Sequence, residues 1–406
     1  MRADHLMLLS NKCFRCVFNS STFNKTVHAS CASSDYDGKY TQALYSLYLH
    51  SQILSTHALS KNSIDFPFGT VPVPQATTQC IAPGVFWLRM PLPFALDHIN
   101  LWLLKDCIDG VSGWTLIDCG IDSAASRALW ERIIEEHLGG EPILRVIATH
   151  MHPDHLGNAH WLCARFDAPL WMSATEFYVA HHALVCDSGF GGPLVSQFMA
   201  EHGLQNPQWL SAIEQRADTF VKMVPKVPDQ FIQIKHGQTI RIGNSSWQCI
   251  EGYGHSPEHI ALYNPEQHIL ISGDMLLPKI STNVSVWATA PQANPVQEFL
   301  ESLKHFDALE PQTLVCPSHG LPFHGVAHRL HELRVHHKER LDEVFEACAI
   351  KPHSAHDVIS IMFKRALDLH QITFAMGEAL AHLNWWWHKG SIKRTRTSSG
   401  VYVFSV

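Results

Sequence analysis

The chain has no apolar run near the roughly eighteen residues that a membrane-spanning helix requires, so no membrane partner is expected. The apolar stretch in Met1–Leu9 is too short for a convincing signal peptide, which makes a cytoplasmic location the expectation. Excess positive charge is also missing. Lys+Arg total 30 against 37 Asp+Glu, a formal net charge of −7. Such a balance gives no general drive toward nucleic acid or anionic lipid. The regular cysteine spacing of a disulfide framework is lacking. The 11 cysteines, among them Cys107, Cys119, Cys163, Cys249 and Cys316, are odd in number and scattered. Most fall in apolar surroundings, which suits reduced, buried thiols. Cys13-x-x-Cys16 has the spacing of a metal or redox pair but no second pair to accompany it. Finally there is no Gly-x-Ser-x-Gly elbow, no Walker loop and no dinucleotide fingerprint, and neither repeats nor low-complexity tracts occur.

What the chain does have is histidine, 29 copies in 406 residues. Most lie at no ligand-like spacing, so abundance alone decides nothing. The length suffices for one large domain and a smaller one. Residues 1–65 read as an N-terminal extension, partly disordered or with one helix over Gln42–Leu59. From residue 80 the pattern changes. Gly84–Met90, His98–Lys105, Trp114–Gly120 and Ile143–Ala148 predict strands, with a helix over Ser123–His137. Residues 156–228 are largely helical in pattern, with candidates at Asn158–Phe166, Ala174–Cys186 and Pro207–Val224. Strands return at Phe231–Ile234, Thr239–Ile242, Trp247–Ile250, Ile260–Tyr263 and His268–Asp274. A helix over Gln297–Leu309 and a strand over Thr313–Pro317 follow. Blocks of strands, helices and strands predict two mixed sheets with helices outside. Arg329–Ala347 is a long charged helix. Beyond residue 350, Ser354–Leu367, Gln371–Lys389, Ile392–Arg394 and Val401–Phe404 read helix, helix, strand, strand, the order of a small winged-helix module.

The chemistry-bearing run is Thr149-His150-Met151-His152-Pro153-Asp154-His155, directly after an apolar strand. A helix would scatter residues 150 and 152 around its axis, whereas a loop at a strand end turns all four ligands toward one point. Pro153 suits such a loop. Imidazole fits zinc, iron and other borderline metals, and a carboxylate widens the choice. Downstream, His255 follows Gly252 and Gly254, Asp274 follows Gly273 at the end of an apolar strand, and His319 sits beside Gly320. A carboxylate such as Asp274 can give one oxygen to each of two ions. His259 reads as a hydrogen-bonding neighbour of the ligands rather than a ligand.

These residues resemble the metallo-β-lactamase fold superfamily of metal-dependent hydrolases. His150-x-His152-x-Asp154-His155 matches its defining motif, and Gly254-His255-Ser256-Pro257, Gly273-Asp274 and His319 match its later motifs in order, over about residues 80–325. The resemblance implies that His150, His152 and His255 hold a first metal, that Asp154, His155 and His319 hold a second, and that Asp274 bridges them. It implies an α/β fold, a four-layer αββα sandwich over 80–328 with the site at the edge between two sheets. The segment 350–406 resembles the winged-helix-like region that follows the catalytic domain in one group of these hydrolases.

Departures from particular branches narrow the expectation. The main class of zinc β-lactamases has a cysteine where this chain has Asp274. The nucleic-acid-processing branch inserts a large domain after the bridging aspartate, but Asp274 and His319 are only 45 positions apart. The glyoxalase II branch has a shorter connection than the 100 positions between His155 and His255. Glu258 stands where that branch's motif carries glycine.

The expected enzyme is thus a hydrolase with two divalent ions, zinc first, iron or manganese accepted by the same donors. A shared water of lowered pKa attacks a carboxylic ester, thioester or lactone, with Asp154 orienting it and moving a proton. Phosphodiester and β-lactam hydrolysis are the alternatives for the same centre. Phe177, Tyr178, Leu184, Phe190, Leu194 and Phe198 are candidate walls of an acyl pocket, although helical spacing equally suits ordinary packing. Lys389, Lys393, Arg394 and Arg396 form a small basic cluster, so DNA binding by the tail is the competing class. Trp385-Trp386-Trp387 argues instead for docking on the catalytic domain or on a second copy in a homodimer. A small-molecule substrate is expected, and nucleic acid is not.

Overall fold

The computed structural model describes residues 63–186 and 190–406. The expected helix at Gln42–Leu59 and the Cys13/Cys16 pair lie outside them. Strands β1 (Thr78–Ala82), β2 (Val85–Pro91), β3 (His98–Ile108), β4 (Val111–Ile117), β5 (Ile143–Ile147), β6 (Leu170–Met172) and β7 (Phe231–Gln233) form a seven-stranded sheet in that order. Pairing is antiparallel from β1 to β4 and parallel from β4 to β7. Strands β8 (Thr239–Ile242), β9 (Ser245–Gly252), β10 (His259–Asn264), β11 (Ile269–Gly273) and β12 (Leu314–Pro317) form a five-stranded sheet in the order β12-β11-β10-β9-β8. Only its β11–β12 pair is parallel. Both sheets are therefore mixed, as the sequence pattern predicts.

Helices α1 (Ala124–His137), α2 (Pro153–Leu156), α3 (Ala159–Phe166), α4 (Ala174–Val185), α5 (Pro193–Glu201), α6 (Pro207–Glu214) and α7 (Thr219–Met223) lie between β4 and β7. Helix α8 (Pro295–Ser302) and a 3₁₀ turn (Leu303–Phe306) precede β12. Helices α9 (Val326–Ile350), α10 (Ala355–Met362) and α11 (Leu369–His388) follow, then a hairpin of β13 (Lys393–Arg396) and β14 (Tyr402–Ser405). The expected helix over Pro207–Val224 is two helices, because the chain turns at Gln215–Asp218. Strand β6 is too short to show period-two alternation, and α5 falls within the segment 156–228 expected to be helical but outside its three named candidates.

Three apolar clusters make the layers. One lies between the sheets, where Trp87, Trp102, Leu104, Ile117 and Ile147 meet Trp247, Ile260, Leu262, Ile271 and Cys316. A second packs α1, α3 and α4 on the outer face of the first sheet through Trp130, Ile133, Leu162 and Phe177. A third joins the outer face of the second sheet to α8, α9, α10 and α11. Burial on both faces explains why residues 99–104 of β3 read as an apolar run interrupted only by Asn100. That asparagine is used. Its side chain accepts from Trp87 Nε1 at 2.9 Å and donates to Pro317 O and Gly320 O at 2.9 and 2.8 Å. It thus pins the end of β12 against the first sheet.

The tail has the expected order of helix, helix, strand, strand. Trp385 and Trp386 are buried in the third cluster, and Trp386 Nε1 donates to Leu341 O at 2.7 Å. Arg394 lies over Trp387 and Tyr402, and Arg396 over Tyr402. Those cations are spent partly on neighbouring rings.

Candidate metal centre

Strands β4, β5, β9, β11 and β12 all end at the same edge of the sandwich, and each is followed by a titratable side chain. Asp118 follows β4, His150 to His155 follow β5, His255 follows β9, Asp274 follows β11 and His319 follows β12. The 150–155 run is not wholly a loop. Pro153 is the first residue of α2, where its fixed φ and missing N–H are tolerated, and Asp154 and His155 project from that single turn. His150 and His152 precede it, His152 as the extended residue that caps the turn.

Two triads result. Ligand atoms of His150, His152 and His255 lie within 4.8 Å of one another, and so do those of Asp154, His155 and His319. His150 Nε2 is 2.9 Å from His152 Nδ1 and 3.3 Å from His255 Nε2. His319 Nε2 is 3.3 Å and His155 Nε2 3.6 Å from Asp154 Oδ2. Asp274 stands between the triads. Its Oδ2 is 3.2 Å from His255 Nε2, while Oδ1 is 3.5 Å from both His155 Nε2 and His319 Nε2. All seven residues expected as ligands are thereby brought together.

The remaining ring nitrogens decide whether this group suits cations. His155 Nδ1 faces Asp118 Oδ2 at 2.8 Å, His255 Nδ1 faces Asn283 O at 2.8 Å, and His319 Nδ1 faces His98 O at 2.7 Å. Those acceptors hold the ring proton on Nδ1 and turn a lone pair on Nε2 into the site. His155 Nε2 and Asp274 Oδ1 are buried with no hydrogen-bond partner. Lone pairs converging in a buried site repel one another unless a positive charge sits among them. The donor set therefore fits two divalent cations of the kind bound by imidazole and carboxylate.

Electrostatics divide these side chains into two groups. Burial drives His150 well below the ordinary imidazole value and His152 down to about 3, helped by neighbouring histidines. Those rings are neutral at pH 7. Burial also disfavours charge on His155 and His319, but Asp118, Asp154 and Asp274 outweigh it. His155 rises to about 9 and His319 well above its usual value. Burial opposes ionisation of Asp154 too, yet His155 and His319 hold it at about 2.

Several supporting residues were given no role by the sequence. Asp118 accepts from Thr149 N at 2.8 Å and Thr149 Oγ1 at 2.9 Å besides holding His155. Glu176, in the first turn of α4, accepts from Met151 N at 2.8 Å and Glu258 N at 2.7 Å, tying the first ligand loop to the second, which carries His255. Its buried carboxyl is pushed up by desolvation against those hydrogen bonds. His259, by contrast, was read from the sequence as a hydrogen-bonding neighbour of the ligands; its Nε2 accepts the Asp274 N–H at 3.2 Å, so it sets the backbone of the central carboxylate. Gly273 makes room for it. Gly273 has φ +52°, and a Cβ there would lie 2.1 Å from His259 Nε2.

The segment after Asp274 is fastened by the tail. Val286 N donates to Gly377 O at 3.1 Å, Asn283 Nδ2 to Glu378 Oε2 at 3.3 Å, and Asn384 Nδ2 to Ala293 O at 2.9 Å. Gly377 permits the approach, since a Cβ would meet Ser285 Cβ at 2.8 Å. This segment carries Asn283, which holds His255, and Trp287, whose ring is 6.2 Å from His152. Phe190 lies 6.1 Å from His152 and 5.6 Å from Trp287. Of the six candidate pocket residues, Phe190 alone has a ring contact with the cluster. Phe177 stacks on Phe231, Phe198 and Leu184 pack in the apolar clusters, and Tyr178 and Leu194 are 65 % and 44 % exposed. Trp287 was missed because it sits in a segment without periodicity. A groove of about 510 Å³ between Gly203–Trp209, Ser354–Asp357 and the β13–β14 turn shares no residue with the cluster.

Residues 96–319 match the Metallo-beta-lactamase superfamily, and residues 341–406 match the Metallo-beta-lactamase-like, C-terminal domain. The chain is 25 % identical over 327 residues to the probable metallo-hydrolase YqjP of Bacillus subtilis (strain 168), covering 74 % of this chain and 91 % of that one. A shorter match, 26 % over 94 residues, covers 23 % of this chain and 34 % of a hydroxyacylglutathione hydrolase of Cereibacter sphaeroides. Among solved structures, a beta-lactamase domain protein from Burkholderia ambifaria superposes with a TM-score of 0.80 at 47 % identity, covering 84 % of this chain and 98 % of that one. A metallo-beta-lactamase family protein from Thermus thermophilus gives 0.65 at 24 % identity over 80 % and 99 % of the two chains.

Proposed function

This chain belongs to the metallo-beta-lactamase superfamily and is a metal-dependent hydrolase, and from that premise we propose that it cleaves a carboxylic ester, thioester or lactone at a dinuclear centre. The observation that carries the reading is Asp274, whose two oxygens face one triad each. In this reading His150, His152 and His255 would hold one ion and Asp154, His155 and His319 the other, with Asp274 available to both. Two divalent cations there, zinc in the first instance, would lower the pKa of a water toward neutrality and polarise a carbonyl oxygen.

The protein's own groups do the rest. Asp154 stays ionised through neutral pH and its side chain keeps 19 % exposure. Its carboxylate is thus a base that reaches the open side of the centre. It accepts the proton of the attacking water as the new carbon–oxygen bond forms, and returns it to the departing alkoxide or thiolate as the old bond breaks. Asp118, Asn283 and His98 keep the ligand rings in the lone-pair-inward tautomer. Phe190 and Trp287 supply an apolar surface beside His152 for an acyl group, and the similarity to a hydroxyacylglutathione hydrolase supports the thioester. No described helix is long and apolar enough to cross a membrane. In this reading the substrate is a small molecule met in the cytoplasm.

We assign the C-terminal segment, winged-helix-like in its order of elements, a docking role that braces the Asn283–Trp287 segment. The test is the zinc-loaded protein against p-nitrophenyl esters, thioesters, lactones, β-lactams and phosphodiesters. Turnover of the first three groups, lost in His152→Ala, is expected. Exclusive turnover of phosphodiesters or β-lactams would overturn the bond assignment.

A further inference from the structure

A second group of metal-type ligands lies outside the central cluster. His236, in the turn before β8, Glu251 on β9 and His305 in the 3₁₀ turn after α8 place three ligand atoms within 4.8 Å of one another. They are distant in sequence, so the fold rather than a local motif assembles them.

The backbone of Glu251 sets both rings. On one edge of β9, Glu251 pairs with Ile260 of β10. Pairing with β8 on the other edge stops at Gln248, so the Glu251 N–H and C=O there have no strand partner. His236 Nδ1 accepts that N–H at 3.2 Å, and His305 Nδ1 faces that carbonyl at 3.1 Å. Peptide N–H and C=O of one strand residue point the same way, so the two imidazoles hang side by side. Their centroids are 4.7 Å apart with planes 32° from parallel. His305 donates from Nδ1 and leaves a lone pair on Nε2. Glu251 Oε2 accepts from Tyr253 Oη at 3.0 Å, which fixes the carboxylate and leaves Oε1 open.

We propose that His236, Glu251 and His305 form an additional site for a borderline divalent cation such as Zn²⁺, Ni²⁺ or Cu²⁺. Two imidazoles and one carboxylate are the donor set these ions take, with water completing the coordination. Binding exchanges one weak bond: His236 moves its ring proton to Nδ1 and turns from the Glu251 N–H, which then meets solvent at the strand edge. The bound ion links the 235–238 turn, β9 and the 3₁₀ turn. It is a structural clasp, four residues before His255, and not part of the hydrolytic centre.

The test uses the full chain with its central sites loaded with zinc. Elemental analysis after equilibration with excess Zn²⁺ or Ni²⁺ should find one more ion per chain in the wild type than in His305→Ala or His236→Gln. Added Ni²⁺ should raise the melting temperature of the wild type and of neither variant. Both variants should hydrolyse substrate at the wild-type rate and melt like the wild type without added ion, which separates loss of the clasp from misfolding. Equal metal content in the three proteins, or a nickel-induced shift that survives in both variants, overturns the site.

Discussion

Asp118→Asn isolates the support of one ligand without touching any residue that faces an ion. Oδ1 of Asp118 takes the Thr149 N–H, and Oδ2 takes both the Thr149 hydroxyl and His155 Nδ1, at 2.8, 2.9 and 2.8 Å. An asparagine keeps one acceptor. If its oxygen stays on the Thr149 N–H, its NH₂ faces the hydroxyl and the imidazole. The hydroxyl can rotate to accept, but His155 can accept only by moving its proton to Nε2, which removes the lone pair aimed at the site. If the amide turns over, NH₂ meets N–H. Either way a buried hydrogen bond to a charged group is lost, about 1.5–3 kcal/mol. Loss of the carboxylate partner of a metal-ligating imidazole weakens an ion about 10–100-fold, or about 1.4–2.8 kcal/mol at 25 °C. Chelator competition with zinc should therefore show one weakened affinity, that of the Asp154/His155/His319 site, beside one unchanged. Wild-type affinity at both sites, in a variant with native circular dichroism, would refute the tautomer assignment.

Other outcomes follow from the same geometry. The folded pKa of His155, about 9, lies above the unfolded value near 6.5. Its contribution to metal-free stability is thus fully present below about 6.5 and is lost as pH rises through about 9. An ion at that site must displace the proton, so its affinity should climb with pH over the same window, while the neutral His150/His152 site stays level there; isothermal titration in two buffers reads the proton release. Gly273→Ala adds a left-handed-region cost of about 1–2 kcal/mol and a steric cost of about 1–3 kcal/mol against His259, measurable by urea unfolding. Trp287→Ala removes half of the aromatic pair beside His152, so kcat/KM for long-chain acyl esters should fall about 10-fold while acetyl esters change little; an equal fall for both would place Trp287 in support of His152 instead.

The ligands were legible because each follows an apolar strand and four are packed into one run. Order and spacing did what single residues could not: Asp274 alone is a common strand-ending turn residue. The supporting groups were hidden for the same reason. Asp118 is one carboxylate after one strand, and Glu176 in the first turn of α4 looks like any acid complementing a helix dipole. Their function lies in contacts across 31 to 82 positions, to Thr149 and Glu258, which local pattern does not encode. Pro153 misled slightly, since a turn former and a helix N1 residue are the same residue in different surroundings. The tryptophan run in α11 announced packing, but not that Gly377, Glu378 and Asn384 of the same helix bond to the segment that follows Asp274.

The central claim is that seven side chains hold two ions bridged by Asp274. Anomalous diffraction at the zinc edge, from crystals grown with zinc, tests it directly. The account predicts two peaks about 3.5–4 Å apart, one among His150, His152 and His255, the other among Asp154, His155 and His319, with an Asp274 oxygen toward each. A single peak, or a second ion held without His319 or Asp274, would contradict it.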